Sequence, residues 1–166
     1  MKSSKRLAFL SLFTAMCLIL SFVETLIPPL VTAVPGIKLG LPNIIIIFVL
    51  YRFSLLEAAT VSLVRLSVSA LLFGSALTFV YSLAGAILSL AVMAALKRLN
   101  AFSKVGVSVA GGVCHNVGQI AVAMFVLATK EIGYYFPVLA VSGIVTGVFV
   151  GLCALELIKR TSKIKF

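Results

Sequence analysis

VGVSVAGGVCHNVGQIAVAMFVLAT, residues 105–129, is an apolar run of 25 residues bounded by Lys104 and Lys130. At about 1.5 Å rise per residue such a helix is long enough to cross the ~30 Å hydrocarbon core of a bilayer. Yet His115, Asn116 and Gln119 sit near its centre, and His115 is the only histidine in the chain. At 100° per residue, Ser108, Gly111, Gly112, His115 and Gln119 fall on one stripe, with Asn116 at its flank. Polar groups turned to lipid stay unsatisfied, so this stripe is expected to face the interior of a helical bundle.

The rest of the chain has the same character. Its 166 residues are 62% hydrophobic and 11% charged, with a mean hydropathy of +1.25. Apolar segments run over about 6–27, 39–53, 54–73, 77–97, 105–129 and 134–158. The expectation is an all-α polytopic membrane protein, one domain over 1–166, with six transmembrane helices. Pro28-Pro29 and Pro35-Gly36 break the first connection, Arg52–Ser54 is a very short second join, and Phe73-Gly74-Ser75 is a tight third turn. The basic start and apolar run at the N-terminus read as a retained first helix, because the run exceeds a signal h-region of roughly 7–15 residues. Cys17, Cys114 and Cys153 fall in three separate apolar segments with no metal-ligand spacing, and read as small packing residues.

Charge placement sets the expected orientation. With both termini in the cytoplasm, eleven basic residues lie inside: Lys2, Lys5, Arg6, Arg52, Lys97, Arg98, Lys104, Lys159, Arg160, Lys163 and Lys165. Lys38 and Lys130 lie outside, and Arg65 lies within a helix. That is a strong positive-inside bias. The net charge of +10 is then an orientation signal with some attraction to anionic lipid, not the mark of a nucleic-acid binder.

Arg65 is the second polar anomaly. Ala58, Ser62, Arg65 and Ser69 share a face of the third helix, with Arg65 near mid-membrane. A charge there costs about 2.5–3.5 kcal/mol on insertion scales, so it needs a partner. The chain has no aspartate and four glutamates: Glu24, Glu57, Glu131 and Glu156. By this topology Glu24 and Glu131 sit at the outer edge and Glu57 and Glu156 at the inner, none at the depth of Arg65. Two readings follow: a polar lock between the third and fifth helices, or a site for an anionic ligand. The candidate binding set is Arg65, Ser69, His115, Asn116 and Gln119. Tyr81 joins it from a fourth-helix face with Thr78, Gly85 and Ser89, and Lys38 and Asn43 from the start of the second helix. Tyr134 and Tyr135 read as interfacial belt residues.

Small residues make two further stripes. Gly143, Gly147 and Gly151 on the last helix read as intramolecular packing, since membrane helices approach closely through small residues. Ala8, Ser11 and Ala15 lie on one face of the first helix, open either to the bundle or to a partner. Several chemistries lack their residues. No G-x-x-x-x-G-K-[ST] occurs, so any ATP-driven step needs another subunit. Without aspartate there is no aspartate-rich Mg²⁺ motif, a zinc site is not expected, and no carboxylate sits at the depth to orient His115. The expectation is a non-enzyme without cofactor or metal.

PGIKLGLPNI (35–44), FGSALTFVYSLAGAILSL (73–90) and GGVCHNVGQI (111–120) together resemble a bacterial family. It is labelled heptaprenyl diphosphate synthase component I, or Gx transporter, and is similar to the S components of energy-coupling factor (ECF) vitamin transporters. The resemblance spans nearly the whole chain. It implies a six-helix subunit of the cell membrane that binds a small molecule from outside. It also implies docking on a module of one transmembrane subunit and two ATPases through small residues of the first helix, here Ala8, Ser11 and Ala15. The implied substrate is a small anionic aromatic, isoprenoid, quinone-precursor or vitamin-like metabolite. The synthase label implies instead a non-catalytic membrane subunit of prenyl diphosphate or quinone synthesis. A membrane scaffold of a redox complex is the remaining class.

Overall fold

The computed structural model describes residues 2–26 and 40–164. These form six helices: α1 (Lys2–Leu26), α2 (Pro42–Arg52), α3 (Leu55–Phe73), α4 (Ala76–Leu99), α5 (Lys104–Val126) and α6 (Phe136–Arg160). A 3₁₀ segment, Lys130–Tyr135, leads into α6. Pro28-Pro29, Pro35-Gly36 and Lys38 lie outside the described residues.

The short joins are built by caps. Ser54 starts α3 as its N-cap: its Oγ accepts from the Glu57 backbone N–H at 3.2 Å and donates to the Glu57 carboxylate at 2.7 Å. Ser75 and Ser103 cap α4 and α5 in the same way, accepting from the N–H of Thr78 (3.2 Å) and Gly106 (3.0 Å). Asn100 closes α4 in the left-handed conformation, φ 52°, which asparagine tolerates better than most residues. The apolar run of the fifth segment continues to 129, but the helix stops at Val126. Ala128 turns left-handed there, φ 49°, and breaks the ladder.

The second segment corrects the expected architecture. Five helices are long and apolar enough to cross a membrane, and α2 is not among them. Its 11 residues rise only about 16 Å, half of a hydrocarbon core. Pro42–Arg52 is instead a core helix, with Ile45, Ile46, Ile47, Phe48, Val49 and Leu50 all at most 2% exposed. A helix apolar on every face is stable only where neighbours surround it. α1, α3 and α6 do so, and Phe13 of α1 meets the Phe48 ring edge-on at 5.1 Å.

The depth of α2 follows from its two ends. At its start, the Pro42 carbonyl lies 3.7 Å from Cys17 Sγ, partway along α1. At its finish, Arg52 Nη2 donates to the carbonyls of Thr161 (3.0 Å) and Ile164 (2.7 Å), beyond α6. The Lys97 ammonium donates to the Leu50 carbonyl at 2.6 Å. Cations here meet the exposed carbonyls and the negative pole of a helix C-terminus. Arg6 lies over the Phe53 ring, 5.6 Å from its centroid, and forms an ion pair with Glu57 that ties α1 to α3. Thus α2 fills only the half of the bundle that carries these basic residues, here termed the basic end. Above Pro42, toward the far end, it leaves room.

Glycines draw the other helices together. α5 lies between α4 and α6. A Cβ at Gly112 would come within 2.6 Å of the Gly143 carbonyl oxygen, and one at Gly147 within 2.7 Å of Val109 Cα. On the opposite side, a Cβ at Gly118 would meet the Ala84 carbonyl at 2.8 Å, and one at Gly85 the His115 carbonyl at 2.7 Å. Ser108 adds a hydrogen bond from its hydroxyl to the Gly147 carbonyl, 2.7 Å. Gly143, Gly147 and Gly151 are therefore intramolecular packing positions, facing α5 throughout.

Candidate ligand cavity

A cavity of about 750 Å³ lies in the far half of the bundle, in the room left above α2. Its volume falls in the range of small-molecule sites, roughly 300–1,000 Å³. α3 packs on α1, α2 and α4, and α5 packs on α4 and α6, so α3 and α5 present facing walls. Arg65 and Ser69 line it from α3, Tyr81 from α4, and His115, Asn116 and Gln119 from α5. Asn43, in the first turn of α2, is in its floor. Every candidate binding residue within the described segments reaches this one cavity. Lys38 lies outside the described residues.

Ala8, Ser11 and Ala15 go elsewhere: all three are exposed on the outer face of α1. They do not serve packing within the bundle.

Asn116 has a structural tie. Its Nδ2 donates to the Leu139 carbonyl at 2.6 Å, joining α5 to α6 rather than to α3. His115 fits beside Gly85, where an added Cβ would stand 3.0 Å from its Cε1 atom. Both placements depend on the glycine contacts that bring α4, α5 and α6 together.

Arg65 is different. Its Nε is sealed from solvent and has no hydrogen-bond partner among the described residues. Ser21 Oγ, Ser69 Oγ and the Tyr81 hydroxyl are in the same condition, and all four residues line the cavity. Leaving a buried polar atom unsatisfied costs about 1–3 kcal/mol, more for a charged group.

The opposing charge is Glu24 on α1. It lines the cavity, accepts a hydrogen bond from the Gly40 backbone N–H and acts electrostatically on Arg65. Glu24 lies near the end of α1, as expected, yet acts on Arg65 from there. The far-end residues of α1 reach the cavity because α2 begins too deep to screen them. Cys17, Ser21 and Glu24, spaced i, i+4 and i+7, share a face; that spacing was the available signal. Tyr134 and Tyr135 also separate: Tyr134 is 84% exposed, whereas Tyr135 lines the cavity near its far end.

The cavity lining is mixed. Arg65 and Ser69 on α3, Ser21 on α1 and Asn43 on α2 supply polar lining. Phe73, Phe79, Leu127 and Ile132 line it with Thr25 and Thr78. Among the described residues no three of His, Cys, Asp and Glu gather as a metal site.

A family profile described as heptaprenyl diphosphate synthase component I matches residues 13–157. The chain belongs to that family. The match runs from Phe13 on α1 to Leu157 on α6 and takes in all the described cavity-lining residues. Comparison with curated proteins and with solved structures finds no match. Membership therefore rests on the sequence pattern that also builds the cavity.

Proposed function

We propose that the protein is the substrate-binding membrane subunit of an uptake system, similar to an ECF S component, for a small anionic metabolite with an aromatic, isoprenoid or vitamin-like body. The observation that carries this reading is Arg65, whose Nε has no hydrogen-bond partner among the described residues, in the lining of a cavity of ligand size. Basic residues concentrate at one end of the bundle, which the positive-inside bias puts in the cytoplasm together with both termini. The cavity, in the opposite half, then faces the exterior of the cell membrane. The absence of a P-loop from the sequence assigns ATP hydrolysis to separate subunits. The exposed Ala8, Ser11 and Ala15 face is the proposed docking surface, since small residues admit close helix approach.

The family description favours a second reading, a non-catalytic membrane subunit that assists prenyl diphosphate or quinone synthesis. Under it, the same cavity holds a prenyl precursor for a soluble synthase. Affinity purification from native membranes in mild detergent, with mass spectrometry of co-purifying proteins and small molecules, separates the two. Uptake predicts two ATPases, one further transmembrane subunit and a small anion. Recovery of a soluble prenyl synthase without ATPases would establish the second reading instead.

A further inference from the structure

We propose that Tyr51, Lys97 and Lys104 form a binding site for the phosphate of an anionic phospholipid at the basic end of the bundle.

Two ammonium groups converge there on one ring. Lys97, in the last turn of α4, has its Nζ 5.2 Å from the Tyr51 ring centroid. Lys104, the first residue of α5, has its Nζ 5.7 Å from the same centroid. Tyr51 comes from the last turn of α2, so three helices supply the site. All three residues are half-buried, which sets the cations against protein rather than free in solvent.

Their charge is not balanced from within. A cation–π contact contributes about 0.5–1 kcal/mol where exposed, but the ring carries no net charge, and two like charges gathered on it repel. The carboxylates of this end are engaged elsewhere: Glu57 pairs with Arg6 and Glu156 with Arg160. Among the described residues neither lysine has an ion-pair partner. An ammonium has three donors, of which Lys97 uses one on the Leu50 carbonyl, at 2.6 Å. A phosphodiester has two unesterified oxygens sharing one negative charge, so it can accept from both lysines at once.

The neighbouring chain favours a lipid over an acidic protein surface. Residues 97–104 read Lys-Arg-Leu-Asn-Ala-Phe-Ser-Lys. Between the flanking cations, Leu99 is 67% exposed and Phe102 is 53% exposed. Apolar side chains bordered by lysines suit the headgroup boundary, where the former enter the acyl region and the latter meet phosphates. Basic pockets between transmembrane helices bind anionic headgroups in this setting. A zwitterionic lipid brings its own cation, which the two lysines repel.

The chain has no tryptophan, so Phe102→Trp places a single fluorescent reporter beside the site. The full chain carrying it is reconstituted in vesicles of phosphatidylcholine and phosphatidylglycerol, one or the other with brominated acyl chains that quench on contact. Phosphatidylglycerol is expected to occupy the reporter's surroundings at least threefold above its share of the membrane. Lys97→Gln with Lys104→Gln, on the same background, is expected to abolish that enrichment. Lys104→Gln alone leaves the Lys97 bond to Leu50 in place and should at least halve the enrichment, which covers the case where the double variant does not fold. Lys159→Gln with Lys163→Gln removes as much charge from the same end and should leave the enrichment unchanged. Equal loss in that control would overturn the proposal in favour of the diffuse field of the basic end. No enrichment in the parent reporter would overturn it too, leaving the lysines to an acidic partner surface. Loss of enrichment on adding millimolar inorganic phosphate would assign the site to a soluble anion and overturn the lipid assignment.

Discussion

Arg65→Ala is expected to weaken binding of the co-purifying small molecule by about 10- to 150-fold, the equivalent of a charge-assisted hydrogen bond of about 1.5–3 kcal/mol. The same variant is expected to stay monodisperse and to melt within a few degrees of the parent. The two effects separate because Arg65 Nε has no hydrogen-bond partner among the described residues. Removing the side chain relieves a buried donor and loses only the electrostatic influence of Glu24, with no hydrogen-bonded partner stranded among the described residues. A polar lock between helices behaves the other way, since deleting one member of a satisfied buried pair costs about 3–5 kcal/mol. Binding by titration and stability by thermal melt, on one preparation, read both quantities. A large loss of stability with unchanged affinity would make Arg65 a structural residue.

Gly112→Ala is expected to be the most damaging single-methyl change in the bundle interior. Its Cβ would lie 2.6 Å from the Gly143 carbonyl oxygen, and the obstacle is backbone on a packed helix. α5 and α6 would have to separate, at an overpacking cost of about 1–3 kcal/mol or more. The better helix propensity of alanine returns at most about 1 kcal/mol. With a net cost of about 2 kcal/mol, a fall in melting temperature of roughly 4–8 °C is expected, at about 2–4 °C per kcal/mol for a chain of this size. Its neighbour is the control. A Cβ at Gly111 meets the Met93 side chain, Sδ at 2.6 Å and Cγ at 2.7 Å, and methionine is adaptable. Gly111→Ala should lower the melting temperature by less than half as much. Because Asn116 bonds the Leu139 carbonyl across the same α5–α6 contact, Gly112→Ala should also disturb the cavity wall and weaken binding.

The polar face of the site was legible because a bilayer punishes polar residues that face outward. His115, Gln119, Arg65 and Ser69 could be given an inward direction from a 3.6-residue period alone, and they meet in one cavity. What hydropathy could not report was length in depth. The stretch from Gly40 on is strongly apolar, yet its helix is only Pro42–Arg52, and that short length leaves the space above it. The reach of Glu24 from the end of α1 to Arg65 was not legible for the same reason: α2 starts too deep to cover it. The Asn116 tie was not legible at all. It depends on how closely Gly112 and Gly143 let two backbones approach, a quantity set by tertiary packing.

Native mass spectrometry of the wild-type chain and Arg65→Ala, each released from nanodiscs prepared directly from cell membranes, tests the central claim most directly. The prediction is one small anionic molecule per wild-type chain, absent or strongly depleted in the folded variant. Equal occupancy by the same molecule in both proteins, or no bound molecule in either with the variant unfolding, would contradict the claim that Arg65 holds a ligand.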